Sequence, residues 1–174
     1  MKRFGVVVLM ACAMAVPASA QKKISGKEAC AKPDTQQSVD VSDVPGHMLM
    51  VTKSACTWPM AIEMAGLKVV SSVDVNTGEL SGGMVKQHGY DIGTMDNGDT
   101  FSVSYSGTVK VAADGSAMFH GNWTFLKGTG KLKGIKGGGT FKGGGPADGS
   151  GTSDVVGVYS IAKPMMKPMA KPAS

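Results

Sequence analysis

From Ser38 to Ile161 the chain alternates apolar and polar residues in short runs, and each run stops at a cluster of Gly, Pro, Asn or Asp. That is the pattern of half-buried strands joined by tight turns. The clearest run has Phe101, Val103 and Tyr105 on one face and Ser102, Ser104 and Ser106 on the other. In front of it stands Asp96-Asn97-Gly98-Asp99. Asn-Gly supplies the positive φ angles of a two-residue turn, so the spacing predicts a hairpin of residues 90–95 with 100–111. In the next run Phe119, Gly121, Trp123 and Phe125 share a face opposite Met118, His120, Asn122 and Thr124.

Further strands are predicted over 38–41, 47–53, 67–75, 79–86, 138–142 and 152–161. Their turns fall at Val44-Pro45-Gly46, Asn76-Thr77-Gly78, Ala113-Asp114-Gly115 and Pro146-Ala147-Asp148-Gly149. Residues 58–65 read as a strand or a short helix. No segment holds a 3.6-residue period with caps, so the fold class is all-β, with about eight to ten strands. A meander of this kind hides its edges by closing, and the expectation is a single antiparallel barrel of eight strands over residues 37–162. A two-sheet β-sandwich is the alternative.

The two ends of the chain differ from this pattern. Met1 to Ala20 has a Lys2-Arg3 start, an apolar stretch and Ala18-Ser19-Ala20, the anatomy of a secretory signal peptide cleaved after Ala20. The apolar run is short for a membrane span, and Lys22-Lys23 follow directly. No transmembrane segment is expected. Leu9-Met10-Ala11-Cys12 is a competing, lipobox-like cleavage site with Cys12 as the lipidated residue. Residues 21–36 are polar and Lys-rich and read as a flexible lead-in, and residues 163–174 read as a disordered Lys/Pro/Met tail. The expected location is therefore periplasmic or secreted. In such a compartment Cys30 and Cys56, the cysteines left after the leader, have one possible pairing, a disulfide.

Charge changes little. The 18 Lys plus Arg against 13 Asp plus Glu give +5 overall, but between Gln21 and Ala162 there are 13 of each sign. Arg3 is the only arginine, which removes the planar fork used to grip phosphate and guanine. No nucleic-acid partner is expected. What remains is local: five lysines from Lys127 to Lys142 with no acid between Asp114 and Asp148. Most such runs are solvated faces.

Composition adds 25 Gly and 13 Met. The glycine-rich stretch 128–145 fails as a nucleotide loop, because a Walker pattern ending at Gly130-Lys131 would need Gly where Phe125 stands and Ser or Thr where Leu132 stands. Its structural reading is Leu132, Ile135 and Phe141 turned inward with the lysines in water. His47, His88 and His120 are widely spaced and form no ligand motif, and no Gly-x-Ser-x-Gly elbow occurs. Asp96-Asn97-Gly98-Asp99 lacks the order of a calcium loop. No metal site and no cofactor are expected. The methionines Met48, Met50, Met60 and Met64 around Trp58, with Met165, Met166 and Met169, permit a Cu(I) carrier, with gap-filling as the plainer reading.

Asn122-Trp123-Thr124-Phe125 followed by Gly128-Thr129-Gly130-Lys131-Leu132 and Ile135-Lys136-Gly137 resembles a family of small secreted bacterial proteins of unknown function. The Gly-Thr-Gly-Lys-apolar turn is more distantly similar to the allene oxide cyclase and dirigent barrels. That likeness implies an eight-stranded, lipocalin-like barrel with an apolar cavity, and it carries no catalytic residue onto this chain.

The inward face predicted from the alternation is Phe101, Val103, Tyr105, Phe119, Trp123 and Phe125. Small barrels with such interiors either fill with side chains or enclose one ligand. The functional expectation is thus a non-catalytic binder of a small apolar ligand in the cell envelope. A cyclase or isomerase using the same cavity is the first alternative and requires an ionisable group inside it. A periplasmic Cu(I)-binding protein is the second.

Overall fold

The computed structural model describes residues 20–162. The expected tail lies outside the described residues, as does the expected leader up to Ser19. The fold is all-β: β1 (Lys22–Cys30), β2 (Thr35–Asp40), β3 (Met48–Met60), β4 (Glu63–Met64), β5 (Leu67–Ser81), β6 (Met84–Met95), β7 (Thr100–Val111), β8 (Ala117–Gly128), β9 (Ile135–Gly145) and β10 (Gly151–Ile161). Among the described residues a single 3-10 turn, Gly130–Leu132, interrupts the strands.

Eight of these strands close an antiparallel ring in the order β1-β10-β9-β8-β7-β6-β5-β3, and β3 returns to β1. The sandwich alternative is thereby excluded. β2 pairs with the first half of β3 and β4 with the start of β5, both outside the ring. One end of the barrel is plugged: Met64, Val69, Met95 and Leu132 are fully buried there, joined by Ile62, Leu67 and Ile135.

Three expectations are corrected. The lead-in expected to be flexible contains β1, a barrel strand paired along its length with β10 and joined to β3. Its own inward positions are Ile24, Gly26, Glu28 and Cys30, too few apolar groups to announce a strand; cross-strand hydrogen bonds on both sides and the disulfide hold it instead. Asn76-Thr77-Gly78 is not a turn: β5 runs through it, and the chain reverses at Gly82-Gly83, both at positive φ. Gly78 is there because a Cβ would collide with Val85 Cγ1 at 2.8 Å. Residues 58–65 resolve as the end of β3 plus the short β4, with no helix.

The Gly-Thr-Gly-Lys turn has a structural explanation. Asp99 Oδ2 accepts the Lys131 N–H at 2.9 Å, and the Asp99 carboxylate occupies the space where a Cβ of residue 130 would project. Gly130 also has φ of +47°, where glycine carries no penalty. Thr129 Oγ1 accepts the Thr100 N–H at 2.8 Å, so the turn ties the β8–β9 connection to the β6–β7 hairpin at the plugged end.

Candidate functional site

Inside the ring, above the plug, lies a cavity of about 340 Å³. This sits at the lower end of the range for small-molecule pockets, roughly 300 to 1,000 Å³. All six residues of the expected inward face, Phe101, Val103, Tyr105, Phe119, Trp123 and Phe125, line it. Phe101 meets Phe125 edge-on at 5.7 Å and Trp123 meets Phe125 at 5.0 Å, while Tyr105 and Phe119 both contact Phe141. Those rings make the β7–β8–β9 wall apolar and packed edge to face.

The rings need floor space, and glycines on the neighbouring strands provide it. A Cβ on Gly93 would overlap the Phe101 ring, and one on Gly89 would meet the Tyr105 ring. Gly157 similarly leaves room for the Trp123 indole. The glycine content of the barrel is in this respect complementary to its aromatics.

The opposite wall is polar, and its parity explains why. β5 begins with Leu67 and Val69 buried, but Val70 is an extra residue: Val69 pairs with Met95 and Ser71 with Thr94. The bulge shifts the alternation by one. Beyond it Ser72, Asp74 and Asn76 face in, whereas Val73 faces out. β6 does the same without a bulge, placing Gly89, Asp91 and Gly93 inside and leaving Tyr90 and Ile92 in solvent at 47% and 41% exposure. Asp74 and Asp91 are cross-strand partners.

A hydrogen-bonded chain crosses this wall. Trp58 Nε1 donates to Ser72 Oγ at 3.1 Å, and Ser72 Oγ donates to Glu28 Oε1 at 2.7 Å. Asp74 is fully engaged, with Asn76 Nδ2 donating to Oδ1 at 2.8 Å and the Tyr105 hydroxyl to Oδ2 at 2.6 Å. Asp91 is the exception: it is 7% exposed, lines the cavity, and its Oδ1 has no hydrogen-bond partner.

Burial raises the pKa of Asp91 well above the ordinary carboxylate range; Glu28 raises it further, by its charge and by a hydrogen bond to the protonated acid, as does the Asp74 charge, against a smaller opposing effect of Ser72. Burial also raises Asp74, partly offset by its two donors. Tyr105 is pushed upward by burial and by the adjacent Asp74, so its hydroxyl keeps its proton and stays a donor. No Lys, Arg or His is among the lining residues.

Cys30 and Cys56 are disulfide-bonded, pinning β1 to β3 at the rim of the cavity. Glu28 lies close to both sulfurs, but the bond takes the thiolates that a metal would need. The histidines are elsewhere: none of the three lines the cavity, and His47 bridges Asp43 at 2.6 Å and Glu79 at 3.0 Å on the outside. Of the methionines near Trp58, Met50 and Met64 both line the cavity, Met64 from its buried place in the plug, whereas Met60 is half exposed. Lys127, Lys131, Lys133, Lys136 and Lys142 are all exposed.

Glu28, Asp74 and Asp91 were not among the residues expected in the cavity. Asp91 was legible only as a polar residue between Tyr90 and Ile92, which the alternation would turn outward. No match to a known protein family or to a curated protein was found for the chain.

Proposed function

We propose that this protein is an exported, non-catalytic β-barrel that binds one small, mainly apolar ligand in its cavity, within the cell envelope or outside the cell. The observation that carries this reading is the 340 Å³ space left between the aromatic β7–β8–β9 wall and the plug, in a barrel small enough to have filled it with side chains. The leader-like N-terminus supports export, as does the Cys30–Cys56 bond, which persists in oxidising compartments. Kinship with small secreted bacterial proteins, read from the Trp123 to Gly137 motif, belongs to the same proposal.

Native mass spectrometry of protein purified from a secreting host, followed by thermal-shift screening of apolar small molecules, tests it. A one-to-one adduct or a stabilising compound is expected; an empty protein that no compound stabilises would reduce the barrel to a scaffold.

A reactive role in the same cavity, a cyclase or isomerase, has one observation in its favour. Asp91 is an acid that burial keeps protonated into a higher pH range, and it faces the space a ligand would occupy. A bound ligand recovered chemically unchanged after long incubation argues against that role.

A further inference from the structure

The two walls of the cavity ask for different halves of a ligand. Rings from Phe101, Phe119, Trp123 and Phe125 offer only apolar contact. Across from them Glu28, Asp74 and Asp91 converge from β1, β5 and β6 with no basic side chain among the lining residues. An acidic cluster alone would say little. Here the Asp91 side chain is 7% exposed and its Oδ1 is unpartnered, although buried carboxylate oxygens are nearly always satisfied.

We propose that the ligand carries a protonated amine on a compact apolar body, with the ammonium seated against the Asp91 and Glu28 carboxylates and the body against the aromatic wall. This rests on the small-ligand reading above and narrows it to a chemical class. An ammonium brings three donors and no acceptor, which suits a wall whose open positions are acceptors. It also neutralises a site where acids otherwise repel one another. Trp58 and Tyr105 also line the cavity, and aromatic rings attract a desolvated cation. An anionic ligand would meet the acids head-on. A neutral apolar ligand would leave the facing acids without a counter-charge.

A divalent cation fits less well. Calcium takes six to eight oxygens, whereas both Asp74 oxygens are already committed to Asn76 and Tyr105 and one Glu28 oxygen to Ser72.

The groups facing Asp91 are Glu28 from β1, Asp74 from β5 and Tyr105 from β7, and an amine must compete with the protons that burial holds on Asp91 and Asp74. Binding therefore strengthens as pH rises above the ordinary carboxylate range, while the amine itself stays charged.

Titration calorimetry on the mature protein with 2-phenylethylamine, 2-phenylethanol, 3-phenylpropionate and calcium chloride separates the possibilities. The expected result is an amine bound at least tenfold more tightly than the alcohol, with no measurable binding of the carboxylate or of calcium. Asp91→Asn is expected to bring the amine down to the level of the alcohol without weakening the alcohol, and Glu28→Gln to give a smaller loss. Equal affinity for amine and alcohol in the wild-type protein overturns the amine assignment and leaves the small-ligand reading standing. An amine preference that survives in Asp91→Asn, or calcium binding tighter than the amine, also overturns it. If neither amine nor alcohol binds, the pocket reading falls together with the inference.

Discussion

Replacing Asp91 with Asn removes one ionisable proton from the polar wall while keeping the side chain's size. Below the unfolded-state pKa of about 3.9 the acid is protonated in both states, so variant and wild type differ little in stability. As pH rises, the unfolded chain ionises first, because burial holds the folded-state pKa above it. The wild type then loses stability relative to the variant until the folded-state pKa is passed, where the difference levels off. Its size follows from ionising a group that is 7% exposed in a site it shares with two other acids, a charge the amide never carries. Burying an unsatisfied polar group costs about 1 to 3 kcal/mol. For a chain of this size that corresponds to roughly 3 to 10 °C in melting temperature. Melting curves by circular dichroism between pH 4 and pH 9, without ligand, should show Asp91→Asn matching the wild type at the acid end and melting higher at the alkaline end. A variant that melts below the wild type at pH 9, or a gap that does not widen with pH, would refute the assignment of Asp91 as a buried, strained acid.

Other consequences follow from the same geometry. Converting Cys30 and Cys56 to Ser releases the constraint across a sequence separation of 26 residues. The chain-entropy estimate is a loss of about 3 kcal/mol, seen as a lower denaturant midpoint, and an unchanged midpoint would show β1 held by its ladders alone. Gly93→Ala pushes a methyl group into the Phe101 ring and should cost about 1 to 3 kcal/mol in urea unfolding; a neutral result would mean the ring is free to move away. The His47 imidazole, held first by Asp43 and then by Glu79, should titrate above 6.5 by NMR. Asp43→Asn should lower that midpoint more than Glu79→Gln, and the reverse order would contradict the hydrogen-bond assignment.

The apolar half of the cavity was readable from the sequence because β7 and β8 keep one alternation along the stretch that lines it; the register shift of their pairing falls beyond Phe125, at Leu126, and beside it Ser102, expected on the polar face, is buried. Phe101, Val103 and Tyr105, then Phe119, Trp123 and Phe125, fall on one face with no interruption between them. The polar half was not, for two physical reasons. The Val70 bulge changes the parity of β5 midway, so counting inward from Leu67 and Val69 puts Val73 inside and Asp74 outside, the inverse of what forms. On β6 the inward face is Gly89, Asp91 and Gly93 because rings from β7 occupy the volume above the glycines, and a strand whose interior is filled by its neighbour shows no apolar period of its own. β1 was missed for a related reason: most of its stabilisation comes from partners distant in sequence.

That inversion leaves Val73, Tyr90 and Ile92 exposed on the outside of the β5–β6 wall while acids sit within. The arrangement gives up apolar burial for the fold and leaves polar groups where a ligand can meet them, a conflict between local pattern and fold of the sort found at functional sites.

Trp58 and Trp123 are the only two tryptophans, and both line the cavity from opposite walls. Trp58 Nε1 is bonded to Ser72 and Trp123 Nε1 to the Thr140 carbonyl, so each indole N–H reports its own wall through a single resolved signal. An NMR titration of the mature protein with a compound selected by thermal shift is therefore the most direct test of a ligand-binding barrel. The account predicts that both indole signals move and saturate together at one equivalent. Saturation with both signals unmoved, and with shifts confined to the outer strand faces, would contradict it.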